Sequence, residues 1–154
     1  MRRVLLCCAF FMLPTAAFAD GWTAQMQEDE GGSVMVAQVL ATPQGDVTPA
    51  LVMMCGDTGQ VNLRYSMPIG EGEPASEADF LFENEHDQIK LHMIYEDMDG
   101  AFAAYFPVDD KMVALLETGS DLIVTPDGPD AAAQTFPLQG STKAIAALIR
   151  YCQQ

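Results

Sequence analysis

The chain has 154 residues, with 7 Lys+Arg against 22 Asp+Glu and a formal net charge of −15. That length fits one ordinary domain. A surface this acidic repels nucleic acid phosphates and anionic lipid headgroups, which excludes both as charge-driven partners. It is compatible with cationic partners or divalent cations, and most simply with salty surroundings.

Residues 1–20, MRRVLLCCAFFMLPTAAFAD, read as a secretory signal peptide followed by the first mature residue. Arg2 and Arg3 form a positive start, Val4 to Leu13 an uncharged apolar run, and Pro14 breaks it. Ala17 and Ala19 place small side chains where a signal peptidase reads, so cleavage is expected between Ala19 and Asp20. Bulky Leu5 and Leu6 before Cys7 and Cys8 argue against a lipobox. The apolar run is shorter than the roughly 20 residues a bilayer span needs. No later stretch is apolar enough, so no membrane insertion is expected after cleavage. The expected organisation is a signal peptide over 1–19 and a single β-rich domain over 20–154, periplasmic or secreted. Five basic side chains, Arg64, Lys90, Lys111, Lys143 and Arg150, then face 22 acidic ones, leaving a net charge of −17.

Removing the signal also removes Cys7 and Cys8, leaving Cys55 and Cys152 of the four cysteines. Two thiols in an exported chain read as one disulfide, with a single possible connectivity. They belong to no C-x-x-C motif, which favours a structural bridge over a reactive one.

Short apolar runs recur about every ten residues. Strands are expected over 22–27, 33–41, 50–55, 60–67, 79–84, 88–96, 101–108, 112–117, 121–126 and 132–138. Turn residues separate them: Glu30-Gly31-Gly32, Gly56-Asp57-Thr58-Gly59, Asp99-Gly100, Asp109-Asp110 and Asp127-Gly128-Pro129. Many short strands with regular turns imply a mainly β fold, an antiparallel β-sandwich. In QIKLHMIYE, Ile89, Leu91 and Met93 alternate with Lys90 and His92, so the first three should face inward and the other two outward, with a slip at Ile94. Asp99-Gly100 suits a tight primed turn into AFAAYFPV. Pro68 to Glu77, PIGEGEPASE, reads as an exposed loop.

One α-helix is expected, over 141–152, with Ser141 or Thr142 as its N-cap. Ile145, Leu148, Ile149 and Cys152 draw a single apolar stripe. Cys152 therefore faces the body of the protein, where Cys55 closes the apolar strand ALVMMC. The bridge should staple the helix to that strand. In a chain-entropy picture, a loop of this size is worth on the order of 4 to 5 kcal/mol.

Chemistry is sparse. EDMDG, with Asp97 and Asp99, invites a calcium reading, but an EF-hand loop needs regularly spaced oxygens ending in a bidentate Glu, and the run lacks them. His86 and His92 are the only histidines, and with methionine they are the weak candidates for a soft copper site. Alternation sends His92 and Met93 to opposite faces. Of the eight methionines beyond the signal, most lie inside strands, where Met is ordinary core filler. G-x-S-x-G, S-x-x-K and P-loop spacings are absent. Paired carboxylates leave a small hydrolase only as a residual reading, and no cofactor is called for.

Phe136, Leu138, Gly140, Ala144, Leu148 and Cys152, in FPLQGSTKAIAALIRYC, resemble the ending of small exported proteins of Gram-negative bacteria. The VasI-type accessory proteins of type VI secretion and the invasion-associated locus B proteins end comparably: an apolar strand, a Gly, then a short helix closing on Cys. The resemblance implies a non-enzymatic β-rich envelope protein with a helix pinned by a disulfide. The leading expectation is a periplasmic binding or accessory protein that meets a protein partner in the envelope through its acidic surface and loops. The alternative is a metal-binding protein, taking copper through Met and His or calcium through Asp-rich turns.

Overall fold

Period-two alternation drives this fold. In the strand QVNLRYS, Val61, Leu63 and Tyr65 are fully buried while Gln60, Arg64 and Ser66 keep contact with solvent. The computed structural model describes residues 21–29, 31–43, 47–67, 74–128 and 132–154. The expected signal peptide, most of the Pro68–Glu77 loop and Pro129 lie outside the described residues.

Nine strands and two helices follow in chain order: β1 Thr23–Asp29, β2 Gly32–Leu40, β3 Ala50–Cys55, β4 Gln60–Ser66, β5 Glu77–Glu83, β6 Gln88–Glu96, β7 Ala101–Pro107, α1 Lys111–Glu117, β8 Asp121–Pro126, β9 Gln134–Pro137 and α2 Ser141–Cys152. The strands form one antiparallel sheet in the order β1-β2-β3-β4-β7-β6-β5-β8-β9. The expected sandwich-like layering is present, with one continuous sheet supplying both layers. Its two halves join where β6 pairs with β7 at Ile94–Ala103, Tyr95–Phe102 and Glu96–Ala101. Tyr65 of β4 meets Phe80 of β5 and Phe136 of β9 edge-on, at centroid distances of 5.4 and 6.0 Å. Phe80 also meets Phe102 of β7 at 5.0 Å, so one aromatic cluster ties the two halves together. At the far seam, the Trp22 backbone N–H donates to the Gln139 carbonyl at 2.8 Å.

Nine of the ten expected strands are observed, with ends displaced by at most two residues. The tenth, 112–117, is helix α1. Asp110 caps it, its carboxylate accepting from the Met112 N–H at 2.8 Å. Met112, Val113, Leu115 and Leu116 are buried on a helical stripe. Asp109-Asp110 is thus a helix start rather than a turn between strands. The expectation of a single helix is corrected to two.

Two further expectations change. Asp99-Gly100 does not form a tight two-residue turn. Asp97 to Gly100 all loop out, the Asp99 and Gly100 N–H groups donate to the Glu96 carbonyl, and Gly100 supplies a φ of 61°. Neither Ser141 nor Thr142 caps α2: Gly140 occupies the cap with φ 81° and no side-chain bond. Ser141 is buried, and Thr142 Oγ1 donates to the Glu117 carbonyl at 3.1 Å, linking the helices. Gly140 is required twice over, by its left-handed backbone and because a Cβ there would meet the Trp22 carbonyl at 3.0 Å.

Helix α2 packs on β1–β4 and on α1. Ala144, Ile145 and Leu148 are buried, and Tyr151 donates to the Ser33 carbonyl at 3.0 Å. The Cys55–Cys152 disulfide closes as expected, with the Cα atoms 5.4 Å apart and 97 residues of separation. The C-terminal pattern now has a physical meaning: Phe136, Leu138, Ala144 and Leu148 are core, Gly140 is the turn, and Cys152 is the staple. No helix among the described residues is long and apolar enough to cross a membrane.

Candidate functional site: a cleft beside the disulfide

The outer face of β3, β4 and β7 carries a polar cluster that alternation alone does not explain. Register aligns Met54, Asn62 and Tyr105 in one row across these strands. The neighbouring row is Val52, Arg64 and Ala103, continued by Ile94 of β6. An open cleft of about 640 Å³ lies over the first row, lined by Met54, Cys55, Asp57, Asn62, Arg64 and Tyr105 among others.

Arg64 organises the wall. Its Nη2 meets Glu96 Oε2 at 2.9 Å and Asp99 Oδ2 at 3.0 Å, and its Nη1 approaches Met54 Sδ at 3.7 Å. Tyr105 donates its hydroxyl to the other Glu96 oxygen at 2.8 Å. Partial burial, reinforced by that carboxylate, raises the Tyr105 phenol above its ordinary range. The guanidinium side chain is 21 % exposed, so its pairs are partly desolvated. Two polar atoms at the cleft have no partner: Asn62 Oδ1 and Arg64 Nε. Asn62 is only 4 % exposed, and an unpaired amide oxygen at that depth is costly.

The residues singled out from the sequence are scattered. Cys55 and Cys152 are joined, and Cys55 lines the cleft. Asp99 is the Arg64 partner, while Asp97 sits exposed at the hairpin tip. His92 faces outward as alternation requires, on the other half of the sheet. Its Nδ1 lies 2.8 Å from Asp79 and its Nε2 lies 3.6 Å from Glu77. Hydrogen bonding to Asp79 raises the His92 pKa, and the same bond lowers that of Asp79. Lys90 spans Asp79 and Asp127 at 3.1 and 2.9 Å. His86 lies in a turn, its N–H donating to Asn84 Oδ1 at 2.8 Å. Among the described residues, no three His, Cys, Asp or Glu side chains converge as a metal would need. Of the residues at the cleft, the candidates read from the sequence include Cys55 in its lining and Asp99 as a partner of Arg64. The rest had no distinctive signal, because Asn62 and Arg64 share their face of β4 with Gln60 and Ser66 and look like the outward positions of any alternating strand.

A second cavity, about 620 Å³, lies at the seam and is lined by residues such as Gly21, Thr23, Leu40, Pro43, Thr135 and Pro137, with no charged side chain.

No protein-family model matches the chain. No curated protein matches it in sequence. In structure it is similar to invasion associated protein B from Bartonella henselae, with a TM-score of 0.57 and 15% identity over 86% of this chain and 94% of that one. The likeness is one of fold. It is consistent with the locus B side of the sequence resemblance.

Proposed function

We propose that the protein is a non-enzymatic binding or accessory protein of the cell envelope, exported to the periplasm and acting on a protein partner through its acidic outer surface. The observation that carries this reading is the open cleft on the outer face of the sheet, lined by Asp57, Asn62, Arg64 and Tyr105 beside the Arg64 ion-pair cluster. A concavity lined by a few fixed polar side chains is the kind of surface a binding partner fills. The fold likeness to invasion associated protein B, the disulfide and the net negative charge all support it. Disulfide-bonded mature protein, immobilised and exposed to envelope extract, should retain a small set of proteins at low salt. They should elute as the Debye length falls from about 10 Å at 0.1 M to about 3 Å at 1 M. Retention of none at any salt overturns the reading.

A further inference from the structure

We infer that the free edge of β1 is the interface of a homodimer, pairing antiparallel with the same edge of a second copy of this chain. The inference is independent of the acidic-surface reading above and rests on main-chain chemistry. β1 ends the sheet and, among the described residues, pairs only with β2. Alternation fixes where its remaining backbone groups point. The Ala41 N–H donates to the Pro49 carbonyl at 2.9 Å, so the odd-numbered residues of β2 turn their backbone groups toward β3. The even-numbered residues of β2 therefore bond Thr23, Gln25, Gln27 and Asp29 of β1. That leaves the N–H and C=O groups of Ala24, Met26 and Glu28 pointing off the edge. Trp22 has the same parity and points the same way, its N–H reaching the Gln139 carbonyl across the seam at 2.8 Å.

The two ends of the sheet are built differently. β9 has four residues, and the Leu138 N–H donates inward to the Ser120 carbonyl, so Pro137 falls at an outward position and offers no donor there. β1 has seven residues in unbroken register with β2, and carries neither Pro nor Lys. An edge this regular accepts another strand. Its sequence, TAQMQED, selects a second copy. Antiparallel pairing centred on Met26 sets Met26 against its counterpart and Ala24 against Glu28 of the second copy. All are outward positions, so each pair exchanges both main-chain bonds. On the opposite face, Gln25 meets Gln27 of the second copy as an amide pair. Each Glu28 then faces an alanine and each Asp29 a threonine, so no carboxylate opposes a carboxylate across the new pair. Met26, 48 % exposed, covers its apolar surface on the two-fold axis. Two strands of this length bury less than a standard interface, so the dimer is a weak one, with a Kd of roughly 0.1 to 1 mM. Both copies are strongly acidic, and added salt strengthens their association by screening the repulsion.

The test is sedimentation equilibrium of the mature, disulfide-bonded protein from about 10 µM to about 2 mM. The mean mass should rise toward that of a dimer, and more steeply at about 0.5 M salt than at about 0.05 M. In a mixture of isotope-labelled and unlabelled protein, Gln25 Hα should show contacts with Gln27 Hα of the other copy. Met26→Lys, at a half-exposed position, sets like charges face to face and should weaken association roughly fivefold or more. Thr135→Lys, on the edge of β9, should leave it unchanged. A constant monomer mass across the range overturns the dimer and leaves the acidic-surface reading untouched. Association that Met26→Lys does not alter, or that Thr135→Lys abolishes, overturns the β1 edge as its site. A dimer that dissociates as salt rises overturns main-chain pairing in favour of a charge-driven contact.

Discussion

The Arg64 cluster and the Lys90–His92 ladder are made of the same parts: cations among carboxylates on the outer face of the sheet, one in each half. They differ in water. Arg64 and Glu96 are 21 % and 26 % exposed and Arg64 lines a cleft, whereas Lys90 and His92 are 56 % and 57 % exposed. The ladder therefore behaves as a solvated face whose pairs are worth little. The Arg64 cluster is held in one geometry by four partners, with polar atoms left over. On an acidic protein, the number of charges does not mark a site; the degree of desolvation and the unpaired atoms do.

The largest expected effect tests what holds the Arg64 half in place. Replacing both Cys55 and Cys152 by serine should lower stability by about 3 to 5 kcal/mol in urea unfolding, for a loop of this length. Hydrogen exchange should rise most in α2 and β3, and least across β5, β6 and β8. Uniform loosening of both halves would show that the staple does not favour one of them. A smaller difference separates the two cations. Arg64→Met strands the half-buried Glu96 and should cost about 1 to 2 kcal/mol, while Lys90→Met should leave the urea midpoint unchanged within error. Equal losses would erase the distinction drawn from exposure.

Titration gives a third contrast. The raised His92 pKa contributes stability that is complete below its ordinary value of 6.5 and is lost as pH rises through the folded-state value. The depressed Asp79 pKa contributes stability that is complete above 3.8 and is lost as pH falls through the folded-state value. The ladder is thus fully formed between about pH 3.8 and 6.5. Imidazole resonances should place the His92 midpoint above 6.5, and Asp79→Asn should return it toward that value. The Arg64 cluster should keep its geometry across the upper end of this window, since guanidinium does not titrate there. A His92 midpoint at or below 6.5 would contradict the observed contacts. The smallest effect is expected from metals. Millimolar calcium or micromolar copper should leave the melting temperature unchanged, and a rise by mass action would revive the Asp97, Asp99, His86 and His92 readings.

The staple and nine of the strands were legible in the sequence for simple reasons. Two cysteines allow one pairing, and strands of period two separated by Gly, Asp and Pro are hard to mistake. MVALLE was not legible, because a six-residue apolar run carries too little periodicity to choose between helix and strand. The cap that decides it, Asp110, looked like turn chemistry until the chain beyond it was seen to coil. The cleft was hidden for a different reason. Arg64 and Glu96 are 32 residues apart and meet only because β7 inserts between β4 and β6. That strand order is a long-range pairing, which no local pattern reports.

The span of the disulfide has a mechanical consequence. Cys55 and Cys152 enclose β4 to β9 and both helices, and leave β1, β2 and all of β3 but Cys55 outside the ring. Tension applied between residue 21 and residue 154 passes through the sulfur bridge and bypasses the 97-residue separation it closes. Only the strands before Cys55 can be peeled away, at roughly 3.5 Å of extension per residue. Under load, β4 and β7 stay shielded inside the ring while β1 to β3 can give.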